Sequence, residues 1–370
     1  MTDIQDRLTK SEQRFYAAIR QEKHDRTPIL VSNGLALAKY ADSLVVAADC
    51  VERPEWVADR GMEALNQLKY VDAVGLLCQF PNPAMGSFWL AKVKRPGVEL
   101  GRDEMWQIDE VALMTFEDYD TILEQGWDEF FSKYMERIGC TQEDFDKGGA
   151  AIEYGNKLCA DNGYISCPHL MFNSTFDSLC SGRGMLSFFT DLMKHPDKVK
   201  AVLDVLLEDS LRKYRAAAEI IKPKVIFVQP GVRGNSNFLS RQQFADLLFP
   251  HFRAQANLAI ELGAYVYFHM DANWTNFLDY FTEFPKGTCL FDTDGMTDIY
   301  KVREILGDRM GITGNLGAAM MSVGTPDQVY AEARKLVDDF GDGFIMAPAC
   351  GLPTNVKPEN IDAMVAACIE

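Results

Sequence analysis

Six polar residues close short apolar runs in the C-terminal half of this sequence: His269, Asp271, Asp292, Asp294, Asn315 and Cys350. The run YVYFHMD, from Tyr265 to Asp271, is β-prone and then turns polar, the pattern of a buried strand opening into a site. His269 and Asp271 are two residues apart, so on a strand both point to one face. An imidazole beside a carboxylate can hold a metal ion or move a proton. Asp292 and Asp294 repeat that spacing in CLFDTDG. They can supply a general acid, a further metal ligand or a partner for His269; equally, they read as loop-start carboxylates that cap the next helix. Asn315 can orient a substrate oxygen or shape a turn. Taken alone, a strand-end histidine is more often structural than a ligand, and a cysteine is most often a small buried hydrophobe. Cys350 stands apart because it lies between Pro348 and Gly351, where a tight turn exposes it.

These residues need a scaffold that brings strand ends together. Apolar runs begin near residues 29, 72, 164, 225, 265, 289, 310 and 344, and helical segments separate them. Eight βα units predict an α/β fold of the (β/α)8 TIM-barrel type, with a doubly wound open sheet as the alternative. We read one domain over 1–370. It carries an N-terminal helical extension over 1–26, with Leu8, Phe15, Ala18 and Ile19 on one face, and an inserted hairpin or loop over 81–116 at the barrel mouth. Strands are expected over 72–80 and 164–172, and helices over 36–44, 55–69 and 117–162. Ser240 with Gln243, and Thr325 with Gln328, are capping-box helix starts. Barrel active sites lie at strand C-termini, so Asn33, Gln79, His169, Asn173 and Gln229 should converge on the same mouth as the six residues above. Asn33, Gln229, Asn173, Phe80 and Trp89 are the expected substrate contacts, the last two as apolar walls. A satellite core under a long loop explains Phe80, Trp89 and Trp106 equally well.

Composition excludes several partners. Of 370 residues, 54 are acidic and 37 basic, giving a net charge of −17 that repels nucleic acid and anionic membrane surfaces. No GxGxxG, GxxxxGK[ST] or CxxC occurs, and no apolar run reaches the roughly 18 residues of a membrane span. The polar opening MTDIQDRLTK does not read as a secretory signal, and nine cysteines at scattered spacings suit a reducing cytoplasm.

The segments SEQRFYAAIRQEKHDRTPI, FLSRQQFADLLFPHF, GNLGAAMMSVGTPDQVYAEARKL and PACGLPTNVKPENIDAMVAA, in this order, resemble the uroporphyrinogen decarboxylase superfamily over nearly the whole chain. Porphyrinogen decarboxylases of that superfamily carry an arginine-rich RQAGRY-like segment near the N-terminus; SNGLALAKY stands there in this chain, without arginine. The resemblance is therefore to the corrinoid-dependent methyltransferase branch. That branch has a zinc site of His-x-Cys on one strand and a cysteine in a PGCGIP-like turn. HMD at 269–271 and PACGLP at 348–353 occupy those places, so the resemblance implies zinc on His269, Asp271 and Cys350. Asp271 departs from the pattern by replacing a cysteine. A carboxylate leaves zinc harder and more Lewis-acidic than a second thiolate, which suits an oxygen leaving group. The implied activity is O-demethylation of a small methyl donor, with a methoxylated aromatic favoured. The methyl would pass to a corrinoid on a separate protein, since no cobalamin-binding DxHxxG is present. Asp294, Asp292 and Asn315 are the expected catalytic groups. Transfer from a methylcorrinoid to a thiol or pterin, a metal-free decarboxylase or lyase, and a non-catalytic docking barrel are the alternatives. A monomer and a homodimer are both compatible with the resemblance.

Overall fold

The computed structural model describes residues 3–229 and 231–369. Parallel strands form the ring: β1 (Leu30–Ser32), β2 (Ala73–Gly75), β3 in two pieces (Ile165–Ser166 and Leu170–Phe172), β4 (Val225–Val228), β5 (Tyr265–His269), β6 (Cys289–Asp292), β7 (Gly311–Leu316) and β8 (Phe344–Pro348). The first piece of β3 pairs with β2 and the second with β4, and β4 to β8 follow as neighbours in chain order. A parallel bridge from Ile29 to Met346 brings β8 back to β1, and the Met346 amide donates to Pro28 O at 2.9 Å. The expected TIM barrel is the fold.

Period-two alternation splits the strands into two packed layers. Ala73, Val225, Tyr267, Leu290 and Ile345 pack together with Phe15, Ala18 and Ile19 of the N-terminal helix Asp3–Arg20. The intervening positions Val74, Ile226, Phe268, Phe291 and Met346 belong to the larger shell under the outer helices. The N-terminal helix thus closes the base of the ring. A Cβ on Gly311, at the start of β7, would lie 2.9 Å from Ile19 Cα.

Two strands are shorter than the sequence predicts. The run 72–80 is β only over Ala73–Gly75. Leu76 turns the chain with φ of 51°, and its carbonyl accepts the Gly34 amide at 3.0 Å. A Cβ on Gly34 would sit 1.8 Å from Leu77 O, so the turn folds onto the tip of β1. Gln79 is consequently not at a strand end. The run 164–172 breaks at Pro168, which has no amide to donate.

The inserted segment is a 3₁₀ turn, Pro83–Phe88, followed by an antiparallel hairpin of Lys92–Lys94 with Gln107–Asp109. Residues 117–162 form three helices, Glu117–Gln125, Trp127–Ile138 and Gln142–Asp161. Between β3 and β4 the chain forms the helices Thr175–Arg183, Met185–Lys194 and Pro196–Ile221, separated at Gly184 and at His195. Both capping boxes form, at Ser240 and at Thr325. Among the described residues no helix is long and apolar enough to cross a membrane, and all nine cysteines are free thiols.

Candidate metal centre

The parallel register pairs His269, the last residue of β5, with Asp292, the last residue of β6. Both side chains are buried. His269 Nδ1 lies 2.6 Å from Asp292 Oδ2, and the Tyr267 hydroxyl donates to that same oxygen at 2.9 Å. Asp292 Oδ1 accepts the Asp294 amide at 3.2 Å. The ring stacks on Phe227 with centroids 5.0 Å apart. With Nδ1 engaged, Nε2 faces the mouth, where Asp271 Oδ1 lies at 2.9 Å and Cys350 Sγ at 3.7 Å.

Cys350 arrives on the turn after β8. Ser32 Oγ donates to Cys350 O at 3.3 Å, Asn33 Nδ2 donates to Leu352 O at 2.7 Å, and the Leu352 amide donates to Ser32 O at 3.1 Å. The turn is stitched to the tip of β1. Cys350 as a residue is exposed, while its sulfur is directed inward to the buried imidazole.

Donor atoms of His269, Asp271 and Cys350 all lie within 4.8 Å of one another. Zinc bonds of about 2.0–2.3 Å place tetrahedral ligand atoms roughly 3–4 Å apart; the 2.9 Å and 3.7 Å from His269 Nε2 to its two neighbours match that spacing, and three such ligands would leave a fourth position for a reactant. The electrostatics agree. Burial alone would push the His269 imidazolium down, but the Asp292 and Asp271 carboxylates outweigh it and hold its pKa well above the ordinary value. Burial raises Asp271, yet His269 and Gln229 draw it below the usual carboxylate range. Burial pushes Asp294 up to about 6, with Asp271 adding to the rise. Burial likewise raises the Cys350 thiol, partly offset by His269. Among the described residues no lysine or arginine pairs with Asp271 or Asp292, whose ion pairs are with His269. The imidazole is the cluster's cation, and a divalent ion would meet its charge demand.

The other expected site residues divide. Gln229 Nε2 donates to Asp271 Oδ2 at 3.3 Å. Gln229, Trp89 and Asn173 line one narrow cleft with Phe88, Ser174 and Asp177. Asn315 Oδ1 accepts the Thr293 hydroxyl at 3.0 Å. Asn33 uses its amide on backbone, accepting the Ala36 amide as well as donating to Leu352. Phe80 packs against the main core. His169 sits beside the start of β4, its amide bonded to Val225 O. Four non-glycine residues with left-handed φ follow barrel strands: Asn33 (91°), Leu76 (51°), Ala272 (71°) and Asp294 (48°), strain of the kind that gathers at functional sites.

Two residues of the mouth escape sequence reasoning. Tyr267 reads as core within its apolar run, although its spacing of two from His269 marks the same strand face. Asp177 lies in the helix Thr175–Arg183 and gives no strand-end signal. Its carboxylate accepts the amides of Val232 at 2.5 Å and Arg233 at 3.0 Å, pinning the loop after β4, and burial pushes its pKa up to about 6. A larger cavity of about 330 Å³ lies beside the cleft and shares Asn173 with it. The donor atoms, not the volume, locate the chemistry.

The family model for uroporphyrinogen decarboxylase (URO-D) matches residues 174–370. Curated uroporphyrinogen decarboxylases from Pelodictyon phaeoclathratiforme and Methylococcus capsulatus are 37% and 32% identical to the chain over 73 and 79 residues. Those alignments span 18% and 21% of this chain, and only 20% and 22% of the relatives. A methyltransferase from Methanosarcina mazei matches in fold with a TM-score of 0.69 at 15% identity, covering 96% of this chain and 97% of that one.

Proposed function

The chain belongs to the uroporphyrinogen decarboxylase family, and from that premise we propose that it is a zinc-dependent methyltransferase. It takes a methyl group from a small methylated donor, a methoxylated aromatic, and delivers it to the cobalt of a corrinoid held by a separate protein. The observation that carries this reading is the convergence of His269 Nε2, Asp271 Oδ1 and Cys350 Sγ. The fold shared with a methyltransferase and the arginine-free SNGLALAKY segment support it.

Bound at these three groups, zinc would supply Lewis acidity to the donor's ether oxygen. The chain's residues do the rest. Asp292 holds Nδ1 of His269, fixing the ring so that Nε2 is presented to the mouth. Asp271, standing where a thiolate would be softer, favours an oxygen donor over a sulfur donor. Asp294, raised to about 6, can hold a proton near neutrality and pass it to the departing phenolate oxygen. Gln229 and Asn315 orient polar groups of the donor, and Phe88 with Trp89 cover its apolar part.

A metal-free decarboxylase or lyase is the second reading, favoured by the activity for which the curated relatives are named and by the raised pKa of Asp294. The deciding experiment is zinc content of protein purified without chelator, followed by methyl transfer from guaiacol to an added corrinoid protein. About one zinc per chain, lost in His269→Ala, Asp271→Ala and Cys350→Ala, and formation of catechol with methylcobalamin, support methyl transfer. No zinc in the wild type after zinc is supplied removes it and puts the decarboxylase reading first.

A further inference from the structure

The cavity of about 330 Å³ beside the cleft is not accounted for by the metal centre. One wall is a single face of the long helix Pro196–Ile221. Leu206, Ser210, Tyr214 and Ala217 line the cavity at spacings of three and four, and the small side chains of Ser210 and Ala217 leave room there. Trp127 and Phe131 form the opposite wall, their rings stacked with centroids 5.5 Å apart and 22° between planes. Both aromatic side chains are only half-buried. A cavity of this size holds one substituted ring: cavities of roughly 150 Å³ already admit benzene.

Polar atoms inside it point to a ligand of particular chemistry. Asn173 Oδ1 and Ser210 Oγ are each buried without a hydrogen-bond partner, and both residues line the cavity. An unpartnered buried acceptor is costly, and a ligand hydroxyl would satisfy both groups. The charges at the rim are already matched. Lys213 Nζ pairs with Asp209 at 2.8 Å and Asp128 at 2.6 Å. Among the described residues that line the cavity no free cation is offered to a carboxylate, so the ligand class is uncharged.

We propose that this cavity is a binding site for a small uncharged aromatic hydroxyl compound, a monocyclic phenol, held between Trp127–Phe131 and the Ser210 face with its hydroxyl on Asn173 and Ser210. Asn173 also lines the cleft that reaches Gln229, and Gln229 bonds Asp271. A ring in the cavity therefore lies one residue away from the metal-side cleft. Its role as a lateral holding place for the aromatic donor or its product rests on the methyl-transfer reading; the binding itself does not.

The test is calorimetric titration of metal-free protein with guaiacol, and with benzoate as the charged counterpart, on wild type, Ala217→Phe and Ser210→Leu. Both substitutions fill the cavity from the helix face, and thermal melts report which variants remain folded. We expect guaiacol to bind the wild type, at least tenfold more tightly than benzoate, and to lose roughly tenfold or more in affinity in either folded variant. Absence of guaiacol binding, equal affinity in the filled variants, or benzoate binding as tightly as guaiacol would each overturn the proposal. Because neither metal nor corrinoid protein is present, the two readings fail separately. Guaiacol lost from the filled variants with no methyl transfer in the wild type would sink the enzymatic reading alone. Methyl transfer with unchanged binding in the variants would sink the cavity site alone.

Discussion

Tyr267 and His269, two residues apart on β5, converge on one oxygen of Asp292, at 2.9 Å and 2.6 Å. That shared oxygen decides which imidazole nitrogen faces the mouth. Asp292→Asn should therefore weaken zinc binding by about 10–100-fold, the usual cost of losing such a supporting carboxylate. Asp292→Ala should in addition destabilise the fold by about 1–3 kcal/mol, because the buried Tyr267 hydroxyl loses its acceptor. Competition with a chromophoric chelator and urea unfolding measure the two effects. Wild-type zinc affinity in Asp292→Asn would remove Asp292 from any supporting role.

Asp271→Cys tests whether the carboxylate selects oxygen. The variant should keep about one zinc and bind it more tightly, with kcat/KM shifting from a methyl ether toward a methyl thioether. Unchanged donor preference would separate Asp271 from selectivity.

His251 sets an acid limit on stability. It is buried against Thr175, with Nδ1 2.9 Å from the hydroxyl, and burial lowers its pKa from 6.5 to about 4 despite Asp204. A depressed histidine contributes stability above the unfolded value that is lost as pH falls toward the folded one, so the contribution of His251 itself should drop by roughly 3 kcal/mol between pH 6.5 and pH 4. Asp177 has the opposite sign: raised from 3.8 to about 6, it contributes stability at low pH that is lost as pH rises through about 6. The wild-type profile is the sum. His251→Gln should remove the histidine's loss, so that the variant gains stability relative to wild type as pH falls from 6.5 to 4, as read by urea midpoints across that range, and a slope identical to wild type would refute this origin.

Gly311→Ala probes the base of the barrel. The added methyl would lie 2.9 Å from Ile19 Cα and 3.0 Å from Ala18 O, both backbone atoms that cannot swing aside. A destabilisation of about 1–3 kcal/mol is expected, with zinc affinity unchanged because the mouth is at the other end of the strand. A melting temperature equal to wild type would show that the N-terminal helix moves freely over the ring.

Most of the scaffold is legible in the sequence because each barrel strand is a short apolar run with a polar tip, and the two capping boxes mark their helices locally. His269, Asp271 and Cys350 are legible for the same reason, with the family resemblance bringing Cys350 to the other two. Local signals fail where distant backbone intervenes. The run 72–80 looks continuous, but Gly34 receives the turn at Leu76 and Leu77, a contact that periodicity cannot register. Asn33 carries the polarity of a site residue, yet the Leu352 carbonyl claims its amide. Asp177 is hidden because it reaches the mouth from a helix, and Tyr267 because a phenol inside an apolar run looks like filling.

The stitch between Asn33 and Leu352 spans 319 positions of sequence. The turn that delivers Cys350 to His269 is held in place by residues from the opposite end of the chain. During synthesis the imidazole and both carboxylates emerge well before their sulfur partner, and that partner has nowhere to dock until β8 has closed on β1. If the site takes zinc as proposed, loading of the ion would be a final event that follows ring closure. A chain stopping just before residue 350 would still contain β8 and its bridge to β1, but it would lack the sulfur and the Leu352 carbonyl that anchors its turn.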